Sequence, residues 1–388
     1  MQLLNAAPRD GLTVAQVTAL LTAPVVTVDF GCDLLAADLS FVQDISADLV
    51  GGKVERNMGA DIHGTCSLQL ARTLAWGVDL VRPWMTLTDP TAGTSARWNL
   101  GAFVLTTPRR VVGELPETFD VQGFDRIMLL TRQVGATYTV AAGTTYRAAL
   151  VATFAAAGLT GLVIDGSAAD NTLPTTQVWA LVGQSTSPDQ VTTPATWLRV
   201  VNDLLRAINF RAVWCDETGA YRCGAYLSPT TQPPAFTFDA DDQARTIIGE
   251  QRTITSDAWA VPNLWLFRQT NRPTGSVTAT EGDGLYSVVN QSDGPQSIDQ
   301  RGLTWAAVVD YDAADQTKLV ALGDRRVATD RRVSSVVQVT TGPFPGAGHA
   351  DIYSYTDSAA GLNVKVQATR WQMPLDGGDM SYDWEVIR

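Results

Sequence analysis

Apolar and polar residues alternate along much of this chain with a period of two, and four stretches switch to the period of a helix. Val14, Val17, Leu20 and Leu21 share one helical face behind Thr13 and Gln16, whose spacing is that of a capping box. Strand-type patterns follow at residues 25–30, 34–41, 46–54, 63–70, 82–87, 98–105 and 119–123. The texture then changes. Residues 144–158 read as a Thr-capped, Ala-rich helix ended by Gly158, and residues 159–165 read as a strand. The pattern recurs further on. Thr193 and Pro194 offer a cap and a first helical position, and Trp197, Val200, Val201, Leu204, Leu205 and Ile208 form a helical stripe. Asn209 stands at the helix exit, and residues 210–215 and 220–227 form a hairpin around the turn 216–219. A capped helix followed by a strand therefore occurs twice, near 144–165 and 193–215, with a Ser/Thr/Pro/Gln-rich linker at 183–196 between the copies.

From residue 246 the β pattern returns. Strands are expected at 254–260 and 261–268, the second opened by Pro262, which is tolerated near a strand start. Residues 270–300 read as a long polar loop holding a hairpin near 282–284. A helix is expected over 313–330, then strands at 333–340, 350–355, 362–371 and 380–386, the last two joined across 376–379. The fold class is mainly β with an α+β insert. Its divisions are a first β-unit at 1–125, a mixed α/β insert at 126–245 and a second β-unit at 246–388 with a helix and a long loop. Closure of each β-unit into a barrel would protect its edges.

Composition narrows the possible functions. The chain has 388 residues, 45% of them hydrophobic, enough for several compact units. The 32 glycine and 18 proline residues suit a turn-rich β-protein. Net charge is -12, with no basic patch to neutralise phosphates, so tight nucleic-acid binding is not expected. The acidity has two readings, solubility or an acidic bore that does not grip DNA. The N-terminus lacks a basic segment followed by an apolar core, and the most apolar run, 148–164, is interrupted and shorter than a membrane span. A soluble protein made in a cytoplasm without its own export signal is the expectation.

Candidate chemistry is sparse. Cys32, Cys66, Cys215 and Cys223 form no CxxC pair, and His63 and His349 are the only histidines, so a zinc site is not expected. Cys215 and Cys223 lie on the two arms of one hairpin, and all four cysteines read as small buried apolar residues, with pairing of those two left open. No nucleophile elbow, zinc-protease or phosphate-loop motif occurs. Asp239, Asp241 and Asp242, with Glu281 and Asp283 in a later loop, admit three readings: a solvated loop, a Ca²⁺ site, or a glycosidase pair. The Ca²⁺-loop spacing is absent, which favours the first. Arg325–Arg326 and Arg331–Arg332 read as a solvated helix face with local ion pairs, or as a grip on a neighbour's carboxylates. Trp76, Trp84, Trp98, Trp371 and Trp384 read as core, with subunit contacts or sugar stacking as the other roles of such residues. No catalytic, cofactor-binding or metal-binding residue is assigned, and no cofactor is expected.

Four segments carry a family resemblance. They are Glu117–Arg126 with its Gly123-x-Asp125 step, Val140–Arg147 with Gly-Thr before a helix, Ala260–Leu266 with Pro-Asn before an apolar strand, and the closing Thr369–Val386 with Pro374-Leu375 and Met380. In this order and spacing, across about residues 25–388, they resemble the hub proteins at the tip of bacteriophage tails, also called tail-associated or baseplate hub proteins. The resemblance implies a non-enzymatic homotrimeric ring with two tube-like β-barrel domains per chain, adapting a three-fold tip to a six-fold tail. It implies a place at the virion tail tip after assembly in the host cytoplasm. The implied partners are the distal tail protein, the tape-measure protein and tip or fibre proteins, with no membrane anchor. DNA would pass through without specific binding. Many hubs carry a C-terminal fibre or lytic extension, and this sequence stops at Arg388, as in a minimal form. Two other classes remain open: a receptor- or carbohydrate-binding minor tail protein, and a cell-wall hydrolase using a carboxylate pair.

Overall fold

A computed structural model of the chain describes residues 10–111, 117–179, 195–242, 248–256, 259, 261–270, 284–313, 315–332 and 335–387. The first stretch holds α1 (Val14–Leu21), β1 (Thr27–Leu35), β2 (Phe41–Asp44), β3 (Leu49–Asn57), β4 (Gly64–Leu70), β5 (Leu80–Asp89), β6 (Thr94–Asn99), β7 (Phe103–Val111) and β8 (Thr118–Asp125). The expected capping box is formed: Thr13 Oγ1 accepts from Gln16 N, and the Gln16 side chain accepts from Thr13 N. Strand positions differ in two instructive places. β1 joins the pattern at 25–30 to the first residues of the one at 34–41, because Gly31 lies within a strand, and the rest of that second pattern is a turn leading into β2. The Trp84 ring lies 2.2 Å from where a Gly31 side chain would begin. The pattern at 98–105 is split, since Gly101 adopts φ +134° and a Cβ there would meet Arg56 Nη2 at 2.8 Å.

The insert holds β9 (Tyr138–Val140), α2 (Tyr146–Ala156), β10 (Leu162–Asp165), β11 (Gln177–Trp179), α3 (Trp197–Ala207), β12 (Trp214–Cys215) and β13 (Tyr221–Gly224). Its repeat is longer than the sequence pattern suggests. Each copy opens with a 3₁₀ turn (Arg126–Thr131, Ser167–Asp170), continues through β9 or β11, and enters a helix capped by Thr145 or Thr196. The copies clasp each other reciprocally. Tyr146 N donates to Asn171 O and Trp197 N to Arg132 O, while Leu173 N donates to Thr144 O and Val134 N to Ala195 O. β9 and β11 pair antiparallel across this clasp. The cap of α3 is thus Thr196, which accepts from Arg199 N, and the expected pair Thr193–Pro194 lies outside the described residues. Asn209 takes the left-handed conformation at the helix exit, φ +56°, as its position there requires.

The remaining elements are β14 (Phe236–Asp239), β15 (Thr253–Ser256), β16 (Leu264–Gln269), β17 (Leu285–Val289), α4 (Ile298–Arg301), β18 (Ala306–Tyr311), α5 (Gln316–Arg332), β19 (Ser335–Thr341), β20 (Ile352–Asp357), β21 (Leu362–Pro374) and β22 (Met380–Ile387). The polar region 270–300 thus contributes a strand, β17, and the pattern had not indicated β18. The protein is mainly β. A 14-stranded sheet runs β15-β19-β22-β21-β3-β4-β8-β7-β5-β1-β2, with β20 attached to β21, β14 to β20 and β6 to β5.

Two long strands make this sheet branch. β22 lines one edge of β21, and the other edge is shared by β20 at Leu362–Gln367 and β3 at Arg370–Pro374. β5 pairs with β1 along its length and is shared on its other edge by β7 and β6. Pro83, which has no N–H for a ladder, sits at that changeover. The β21–β3 ladder welds the last β-region to the first, and their inner faces form one apolar cluster. Alternation buries every second residue of β4 and β22. Trp384, Tyr353, Tyr355, Tyr382 and Phe238 pack ring to ring at its centre. The insert has its own core around α2 and α3. A third core lies between α5 and the small sheet β17-β16-β18.

Candidate functional site

Three arginines from three parts of the chain converge on the hairpin segment 210–219. Arg56 of β3 is 8% exposed and donates from Nη1 to Cys215 O at 3.0 Å. Arg126, just after β8, donates to Gly219 O at 2.9 Å and Thr160 O at 3.2 Å, and lies over the Tyr221 ring at 4.7 Å. Arg325 of α5 donates to Phe210 O at 2.8 Å and lies over Tyr226 at 4.3 Å. The Arg56 and Arg325 guanidinium groups each cross from one core to another, Arg126 ties the start of the insert to its own hairpin, and all three end on backbone carbonyls, which a forked, always-charged donor suits. Among the described residues this is where the β-sheet, the insert and the α5 unit are fastened together.

The Gly-x-Asp step organises the junction. Gly123 is sterically required, since a Cβ would meet Cys66 Sγ at 2.4 Å. Asp125 is fully buried, accepts from Gly64 N at 2.7 Å and Ile127 N at 3.0 Å, and lies 3.8 Å from Arg56. Its carboxylate caps the 3₁₀ turn that starts the insert. Burial pushes its pKa up to about 6, and Arg56 and the two N–H groups only partly oppose this.

The structure brings the two histidines together beside this junction. Their rings lie 4.8 Å apart, and His349 stacks on Trp214 at 5.4 Å. Burial and then Arg56 push His63 down to about 4, so it is neutral near pH 7. Both border a cleft of about 550 Å³ with Arg211, Tyr226, Arg370 and Asp383. His63 Nδ1 is buried and has no hydrogen-bond partner among the described residues, whereas the base of a catalytic dyad is held by one.

The remaining candidates serve structure. All four cysteines are free and buried, and Tyr221, not Cys223, lies across from Cys215. Asp241 accepts from Ser358 N and Oγ, and Asp239 accepts from Asp241 N, so these carboxylates fix turns. Glu281 and Asp283 lie outside the described residues. No cluster of three metal-type ligands occurs among the described residues. Of the arginine pairs, Arg326 pairs with Asp330 and Arg331 approaches Asp293 at 3.6 Å, whereas Arg325 fastens two cores. Trp98, Trp371 and Trp384 are buried, Trp76 packs on the main core, and Trp84 lies under Arg97. The exposed tryptophan is Trp259, which the sequence pattern had not singled out; it is 66% exposed and meets Trp305 edge-on at 5.3 Å. No helix among the described residues is long and apolar enough to cross a membrane.

No family model matches the chain, and no curated protein matches its sequence. Solved structures do match. A tail protein from Neisseria meningitidis superposes with TM-score 0.60 at 12% identity, covering 92% of this chain and 96% of that one. A 43 kDa tail protein of prophage MuSo2 from Shewanella oneidensis gives 0.59 at 11% identity, over 93% and 98%. A chain of the Francisella PdpA–VgrG complex gives 0.51 at 7% identity, over 94% of this chain and 53% of its own. The chain therefore has the fold of phage tail proteins, in agreement with its sequence resemblance to the tail hub family.

Proposed function

We propose that the chain is a structural component of a phage-type tail, a hub that forms a three-fold ring at the tip. The observation that carries the reading is the weld of the first and last β-regions through β21 and β3, in a fold shared end to end with phage tail proteins. In this reading residues 1–125 and 246–388 supply two tube-like β-units per chain, and 126–245 is an insert whose last strand, β14, joins the second unit by pairing with β20. Three chains would then present six similar units around one axis, which lets a three-fold tip meet a six-fold tube. The distal tail protein would lie on one side and tip or fibre proteins on the other. The end of the tape-measure protein and the DNA would pass through the bore without sequence recognition. The chain acts by assembly, in the virion tail tip, without catalysis or cofactor. Native mass measurement of the purified chain, alone and with neighbouring tail proteins, tests this. A trimer, or a monomer that trimerises with a partner, supports it, and a chain that stays monomeric with every partner refutes it.

The exposed Trp259 beside Trp305 favours one alternative, a receptor- or carbohydrate-binding tail protein, because flat aromatic faces stack on sugars. Binding to cell-wall glycans that is lost in Trp259→Ala would establish it.

A further inference from the structure

Four polar side-chain atoms deep in the main core have no hydrogen-bond partner among the described residues: Asp351 Oδ1, Tyr353 OH, Tyr382 OH and Trp384 Nε1. None of the four residues is more than 2% exposed. The ladder places them around one alanine. Ala368 of β21 faces Trp384 of β22, and its N–H donates to Asp351 O at 3.0 Å, one step before β20 begins. Tyr353 lies in the row on one side of Ala368, with Val366 and Val386, and Tyr382 lies in the row on the other, with Trp371. The rings are neighbours as well. Tyr353 and Tyr382 are 6.3 Å apart, and Trp384 lies 6.1 Å from the first and 5.3 Å from the second. The Asp351 carboxylate is held through Oδ2, which accepts from Gly348 N at 2.7 Å. Burial and then the charge of Asp351 push both tyrosine hydroxyls up, so the carboxylate lies near each of them.

Buried polar atoms are nearly always paired, with protein or with ordered water. The chemistry of these four selects the partner. An indole N–H only donates, so it repels a cation. An ionised carboxylate oxygen only accepts, so it repels an anion, and the two phenols do either. What suits all four is a small neutral molecule that both donates and accepts. We propose that an internal water molecule is bound beside Ala368 and bridges Asp351 Oδ1, the two tyrosine hydroxyls and Trp384 Nε1. It donates to the carboxylate oxygen and to one phenol oxygen, and it accepts from the indole and from the other phenol. Buried waters make about two to four such bonds. The place gives the water a role. Here β21 changes partner on one edge from β20 to β3, and a bulge between Ala368 and Arg370 interrupts its ladder with β22 on the other. The water ties the end of β20 to β22 across that branch, next to the weld of the two β-regions. The inference does not rest on the tail reading.

A high-resolution crystal structure of the full chain and urea unfolding of conservative variants test this. The crystal should show a solvent peak within hydrogen-bond distance of Asp351 Oδ1 and of both tyrosine hydroxyls. Tyr353→Phe and Tyr382→Phe should each lower the urea midpoint, because each takes a partner from the water. The double variant should lose clearly less than the sum of the two, because the two hydroxyls share one water. Tyr355→Phe is the control. Its hydroxyl donates directly to Asp357 Oδ2 at 2.8 Å, so its loss should add independently to that of Tyr353→Phe. No solvent peak, with a direct bond between Asp351 and either tyrosine in its place, overturns the proposal. So does a rise in the midpoint for both phenylalanine variants, since removing a hydroxyl that is buried and unpaired relieves the protein of its cost. The crystal readout stands on the wild type alone and decides the matter even where a variant fails to fold.

Discussion

Replacing Asp125 by asparagine should make the protein less stable in acid and leave it level with the wild type, or ahead of it, at neutral pH. The folded protein holds this carboxyl at about 6 against an ordinary 3.8, because burial outweighs the help of Arg56 and two backbone N–H groups. A raised acid pKa means that the folded state takes up the proton more readily than the unfolded chain. The stabilising effect is therefore complete below pH 3.8 and is lost as pH rises through about 6. The difference between 3.8 and about 6 corresponds to about 3 kcal/mol. Asparagine does not titrate and resembles the protonated acid in shape. Its amide can accept from only one of the Gly64 and Ile127 N–H groups, which costs about 1–3 kcal/mol. At pH 4 that cost appears in full. At pH 7 the wild type has lost its own ~3 kcal/mol, so the two proteins come within about 2 kcal/mol of each other, the variant level or ahead. Urea unfolding of both proteins between pH 4 and 7 reads this directly. Parallel stability curves across that window would refute the reasoning, since they would show that Asp125 ionises in the folded state as it does in water.

Other substitutions test the packing and the junction. Trp384→Ala opens the centre of the main core, where Trp384 is fully buried among Tyr353, Tyr355 and Tyr382, and should cost about 3–5 kcal/mol in urea unfolding. Gly123→Ala drives a methyl group onto Cys66 Sγ and should cost about 1–3 kcal/mol or prevent soluble expression, read as melting temperature or yield. Arg325→Ala should destabilise by about 1–3 kcal/mol, because it frees the Phe210 carbonyl and uncovers Tyr226. Arg326→Ala, next in sequence, loses a half-exposed pair to Asp330, which keeps its bond from Trp265, and should cost no more than about 1 kcal/mol of thermal stability.

What the sequence made legible was local. The capping box at Thr13 and Gln16, the Thr-capped α2, the α5 region and the closing β21–β22 hairpin all follow from neighbouring residues, whose propensities and turn chemistry act over a few positions. What was missed depends on contacts between distant segments. Gly31 ends a pattern in the sequence, yet the strand continues because Trp84 fills the space a side chain would take. β18 pairs in parallel with β16 across a long crossover, so no hairpin signal announces it. Thr193 and Thr196 both suit a cap, and the reciprocal clasp between the repeats places the helix start behind Thr196. The junction was the least readable part. Arg56, Arg126 and Arg325 are scattered along the chain, and nothing in their neighbourhoods indicates a shared target at 210–219. Only the Gly123-x-Asp125 step, which the sequence did single out, lies at its centre.

Electron cryo-microscopy of tails containing this chain tests the central claim most directly. The account predicts three copies arranged as a closed ring on the tail axis at the tip, with the two β-regions of each chain alternating around the bore against a six-fold tube. Copies hung singly on the periphery, or stacked six-fold along the tube, would contradict it.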